Sequence, residues 1–105
     1  MPTSPRTRFE EGCARGVLLY QADASGPVFP PRMGIDDWRE SAGLGTVHST
    51  TWVRPRDGEP RNIALVDLDE GFRMMSRVDA GEVTIGLRVR VRFDGADHIP
   101  VFVPA

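Results

Sequence analysis

Leu87-Arg88-Val89-Arg90-Val91-Arg92-Phe93 alternates apolar side chains with arginine without a fault. A two-residue period of this kind sets one row of side chains in a core and the other in water, the pattern of a half-buried β-strand. Outward from that stretch, the chain from Gly43 onward reads as strand after strand. Gly45-Thr46-Val47-His48-Ser49-Thr50-Thr51-Trp52-Val53-Arg54 is rich in β-branched residues and stops at Pro55, after which Arg56-Asp57-Gly58-Glu59-Pro60 supplies a loop. Asn62 to Leu68 is apolar enough to be buried on much of both faces, and Asp69-Glu70-Gly71 reads as a tight turn into Phe72 to Val78. Asp79 to Gly86 is a short connection with room for one helical turn that Asp79 could cap. Asp94-Gly95-Ala96-Asp97 turns the chain into His98 to Val103, where Pro100 requires an edge or a bulge because it has no N–H to give the ladder.

Five such strands, the first long and curved, with a short insertion between the third and fourth, predict an all-β fold: a five-stranded Greek-key barrel of the OB type. SH3-like barrels give a similar string of runs. The residues before Gly43 differ. Ser4 to Arg15 has mild helical character, Gly16 to Gln21 reads as a short strand, and Phe29-Pro30-Pro31-Arg32 as a rigid extended segment. The expected organisation is a small helical N-terminus and extension over residues 1–42, unable to fold alone, lying against the 43–105 barrel or against a partner.

Composition narrows the function. A chain of 105 residues supports one core, and nine prolines with eleven glycines favour short elements over long helices. No stretch approaches the ~20 apolar residues that cross a bilayer, and Met1-Pro2-Thr3-Ser4-Pro5-Arg6 lacks the apolar block of a signal peptide. A cytoplasmic protein without a membrane role is expected. The single cysteine, Cys13, can make neither an internal disulfide nor a cysteine-based zinc site; with no His or Lys beside it, it reads as a small, partly buried side chain. All thirteen basic residues are arginine, which removes lysine-based covalent catalysis, and a net charge of −2 speaks against neutralising nucleic-acid phosphates.

Several segments in order carry a resemblance: Gly16-Val17-Leu18-Leu19-Tyr20-Gln21, Phe29-Pro30-Pro31-Arg32, Gly43-Leu44-Gly45-Thr46-Val47-His48-Ser49, Ile63 to Gly71 and Val83 to Val89. The chain resembles the acyl-CoA-associated zinc-ribbon OB-fold proteins, the domain-of-unknown-function thirty-five type. In that family a C-x-x-C pair follows the first strand and a second pair follows the F-P-P-R segment. Here Ala22-Asp23-Ala24-Ser25-Gly26 stands at the first pair and Met33-Gly34-Ile35-Asp36-Asp37 at a shortened second one. The resemblance thus implies a degenerate, metal-free rubredoxin-like or zinc-ribbon-like extension, with zinc not expected and Trp38, Phe29 and Tyr20 as its packing anchors. It further implies an accessory subunit supporting a thiolase-like or related acyl-CoA enzyme, with coenzyme A or acyl-CoA bound only in complex with that partner.

Candidate chemistry is sparse. His48 and His98 are too few for a metal site by themselves and read as surface or half-buried side chains. Asp67, Asp69 and Glu70 could imitate a general acid and base but sit beside a turn, where solvated carboxylates are the simpler reading. No catalytic residue is assigned, and the chain is expected not to be an enzyme itself. Arg88, Arg90 and Arg92 share a strand face and suit either coenzyme A phosphates or pairing with acidic neighbours. Phe29, Pro30, Pro31 and Arg32, with Trp38, suit a partner interface or packing between the extension and the barrel. The alternative use of an OB barrel is binding single-stranded nucleic acid, which the acidic charge and lack of lysine make a poor match.

Overall fold

The computed structural model describes residues 4–105; Met1, Pro2 and Thr3, part of the stretch read for a missing signal peptide, lie outside the described residues. In chain order the elements are α1 (Pro5–Ala14), β1 (Leu18–Asp23), β2 (Gly26–Val28), β3 (Trp38–Ser41), β4 (Leu44–Val53), β5 (Arg61–Leu68), β6 (Arg73–Ser76), β7 (Arg88–Asp94) and β8 (Ile99–Pro104). They form a three-stranded sheet, β2-β1-β3, and a five-stranded sheet, β6-β5-β4-β7-β8.

The arginine-alternating stretch is β7, in which Val89 is buried while Arg88, Arg90 and Arg92 face water. It pairs antiparallel with β4 and β8, and β4 pairs with β5, which pairs with β6. The two outer strands then meet. Phe102 donates its backbone N–H to the Arg77 carbonyl and accepts from Asp79, making a parallel bridge between Val78 and Phe102, and Ser76 Oγ donates to the Pro100 carbonyl at 2.8 Å. A sheet running third-second-first-fourth-fifth, closed by parallel contact of its third and fifth strands, is the OB barrel the sequence predicts. Pro100 lies on β8, whose far side faces this seam, where its missing N–H costs no ladder bond.

The long first strand bends at a register shift between Val47 and Ser49, a bulge that carries His48. Two glycines lead into the bend. Gly43 has φ +75, and a Cβ there would run into Val91; at Gly45 a Cβ would stand 2.7 Å from the Asp67 carbonyl oxygen. The core is built from Val47, Val66, Leu68, Phe72, Val89 and Phe102 with their neighbours.

Two expectations need correction. Residues 79–86 hold no helical turn: Asp79 is drawn into ion pairs with Arg77 and Arg92 instead of capping, and the segment passes as coil that buries Val83. Nor is β5 buried on both faces. Asn62, Ala64, Val66 and Leu68 point inward, while Ile63 and Leu65 point out, because no second layer among the described residues covers that side.

The small sheet docks through aromatic rings. Tyr20 stacks on Phe72 at 4.8 Å, Phe29 stacks on the same Phe72 at 5.3 Å, and Phe9 of α1 meets Phe29 edge-on at 5.6 Å. Glu70, in the β5–β6 turn, accepts from Ser41 Oγ (2.7 Å) and the Ala42 N–H (2.8 Å), tying the barrel to the end of β3. Ser4 caps α1 by accepting from the Thr7 N–H, and Gly12 lets the helix lie against Leu19. No helix among the described residues is long and apolar enough to cross a membrane.

Candidate functional site

On β7 the three arginines divide. Arg88 grips Asp69 with two hydrogen bonds of 2.8 Å and also donates to Thr46 Oγ1; Arg92 pairs with Asp79 and Asp94. Only Arg90 has no carboxylate partner among the described residues. Arg77 joins the second group by donating to Asp79 and Asp94. The acidic residues at the end of β5 are engaged as well: Asp67 accepts from Arg73 at 2.6 Å, Asp69 from Arg88, and Glu70 holds the β3 end. His48 Nδ1 lies 3.2 Å from an Arg73 nitrogen and 3.5 Å from Asp67, on the surface; His98 is an exposed turn residue at φ 53. The two histidines occupy separate places.

Hydrogen bonds from arginine hold the carboxyls of Asp67, Asp69 and Asp79 below the ordinary carboxylate range. A lowered folded pKa adds stability that is complete above the unfolded value near ~4 and is lost as pH falls through the folded pKa. Urea midpoints are therefore expected to stay level around neutrality and drop below about pH 4, with Asp79→Asn flattening part of that drop. Because these pairs are solvent-exposed, added salt should shrink the effect.

The region where the resemblance places zinc ligands is held differently. Gln21, in the middle of an apolar strand and 1% exposed, points its carboxamide into the loop after Phe29. Its Oε1 accepts from the Arg32 N–H at 2.7 Å, and its Nε2 donates to the carbonyls of Arg32 (2.8 Å) and Ile35 (3.0 Å). Ala22 donates its N–H to the Asp37 carbonyl, and the β1–β2 turn is closed by Asp23 accepting from the Ser25 N–H and hydroxyl. The residues there do not fit zinc: Ala22 is buried and offers no donor, Met33 points to solvent, and no group of three or more His, Cys, Asp or Glu residues capable of holding a metal exists among the described residues. Cys13 is buried on α1, and burial raises its thiol to about 11.

The segment read as an interface is divided too. Phe29 is half-buried in the aromatic stack, Pro31 and Trp38 are half-buried, and Pro30 and Arg32 are exposed. The Arg8 guanidinium sits 5.4 Å from the Trp38 ring centre. Gln21 escaped sequence reasoning, although a lone amide inside Val17-Leu18-Leu19-Tyr20-Gln21-Ala22 was the available signal.

The family model described as ChsH2, C-terminal OB-fold domain, matches residues 38–94, more than half of the chain. The chain belongs to this family. The kinship with DUF35-type OB-fold proteins read from the sequence therefore holds. No curated protein matches the chain. Among solved structures it is similar to one described as "Ltp2-ChsH2(DUF35) aldolase", with a TM-score of 0.77, 24% sequence identity, and coverage of 98% of this chain and 96% of that one. At that identity the likeness speaks for the fold. It also corrects one expectation, that the chain is not itself an enzyme: the solved structure it matches is described as an aldolase.

Proposed function

We propose that this chain is a subunit of an acyl-CoA-processing enzyme assembly, docking on an aldolase or a related thiolase-like enzyme and supporting its fold. The observation that carries the reading is the end-to-end character of the structural match, which takes in α1 and the small sheet along with the barrel. A shared barrel alone would say little, because OB barrels serve many uses. Coenzyme A or an acyl-CoA would meet this chain within the assembly, and Arg90 is the β7 arginine available to a phosphate. Pro30 and Arg32 keep exposed surface for the partner, while Phe29 serves the chain's own packing. A single buried thiol suits work in the cytoplasm. The nucleic-acid alternative is disfavoured by the net charge of −2: Tyr20, Phe29 and Phe72 face one another, and Trp52 is left as an exposed aromatic on the barrel strands.

The test is co-expression with each aldolase-fold and thiolase-fold acyl-CoA enzyme of the same genome, followed by size-exclusion chromatography with light scattering. A stable mixed complex with one of them is expected. A chain that elutes alone beside every candidate would overturn the proposal.

A further inference from the structure

The outward face of β4, β5 and β6 is where the fold leaves apolar surface uncovered. Residues directly opposite one another on paired strands share a face, so the register assembles one strip: Val53 beside Arg61, Thr51 beside Ile63, and Ser49 beside Leu65 and Met75. Met75 is 70% exposed, Val53 45% and Ile63 38%. Ser49, Thr51, Ile63, Leu65 and Met75 line a shallow groove of about 330 Å³. β5 has the composition of a strand covered on both sides, yet this chain covers one. Apolar residues gathered on a sheet face in this way mark an interaction surface.

The charges around the strip say what covers it. At one end Asp67, Arg73 and His48 satisfy one another. At the other, Arg61 and the neighbouring Arg54 and Arg56 have no ion-pair partner among the described residues, whereas Arg73, Arg77, Arg88 and Arg92 of the barrel each have one. An aliphatic centre without a stacking aromatic, ending in free guanidinium groups, complements a protein surface that carries an apolar patch bordered by carboxylates. We propose that this face is the docking surface for the enzyme subunit of the assembly, with Ile63, Leu65 and Met75 at its centre and Arg61 pairing with a carboxylate at its rim. This inference rests on the subunit reading above and adds the place of contact.

The experiment uses the complex isolated by co-expression. Ile63→Glu and Met75→Glu are each expected to weaken it at least a hundredfold. Arg61→Glu should weaken it about tenfold and reduce its salt dependence, while Ile85→Glu, on an exposed residue of the 79–86 connection, leaves affinity unchanged. Hydrogen exchange on the wild-type complex needs no variant and should show protection at 49–53, 61–65 and 73–76. A complex that forms with unchanged affinity in both glutamate variants, or without protection at 49–53, 61–65 and 73–76, overturns the docking face and leaves the subunit reading standing. Failure to form any complex sinks both. A dimer of the free chain abolished by Met75→Glu would assign the face to a second copy, and oligothymidylate binding lost in the same variant would assign it to nucleic acid; either outcome overturns the proposal.

Discussion

Phe72→Ala is expected to lower stability by about 4 kcal/mol, the range for emptying a phenylalanine site in a core. Phe72 is 5% exposed and belongs to both halves of the molecule: it lies in the barrel core and carries Tyr20 and Phe29 on its ring. Truncation removes the ring's burial and both stacking contacts, each worth roughly 0.5–1.5 kcal/mol beyond area. Against a total of about 5–15 kcal/mol for a domain, the loss is a large fraction, and the melting temperature should fall by roughly 15–30 °C. The pattern of loss is diagnostic. Hydrogen exchange should quicken first in β1–β3 and α1, since Phe72 is the ring on which they rest, while the β4–β5 ladder keeps its protection. Uniform loss across both sheets would instead mean that barrel and extension unfold as one unit.

Gln21→Ala is the second. It strands one N–H and two carbonyls that the carboxamide now satisfies, in a site closed to water on the Gln21 side. Buried groups without partners cost about 1–3 kcal/mol each; with water reaching the loop from outside, a total of about 2–4 kcal/mol is expected. Calorimetry gives the total, and exchange at the Arg32 amide gives the location. Gln21→Glu separates this role from mere packing. A carboxylate accepts from the Arg32 N–H but repels the two carbonyls, so its folded pKa is raised above the unfolded value. Stability lost by that variant should therefore return as pH falls through the raised pKa, whereas Gln21→Ala shows no such recovery. A chelator should leave the melting curves of wild type and both variants in place, and a chelator-induced shift would contradict the carboxamide's role as the tie.

How much of this was legible follows from where the signals lie. Alternation in β7 and β-branching in β4 are local, and they placed five strands within a residue or two at most ends. The burial of β5 was not legible, because the sequence Asn62-Ile63-Ala64-Leu65-Val66 states a need for cover without saying whether the same chain or another supplies it. Gln21 makes its contacts eleven and fourteen residues away, and no periodicity marks a polar side chain that works at such a distance. The β7 arginines were correctly placed on the outward face. Their partition into paired and unpaired depended on which turns bring Asp69, Asp79 and Asp94 alongside, and that is a property of the closed barrel.

The seam between β6 and β8 has one more consequence. It is stitched by a few bonds around Val78 and Phe102, so heating should part the molecule there before the long β4–β5 ladder yields, and parting lays bare two strand edges that could recruit a stray strand from a neighbour. Pro100 stands on one of those edges and refuses the hydrogen bond that a growing fibril would require of it. A residue that costs the native barrel nothing thereby blunts the route by which a briefly opened molecule would aggregate.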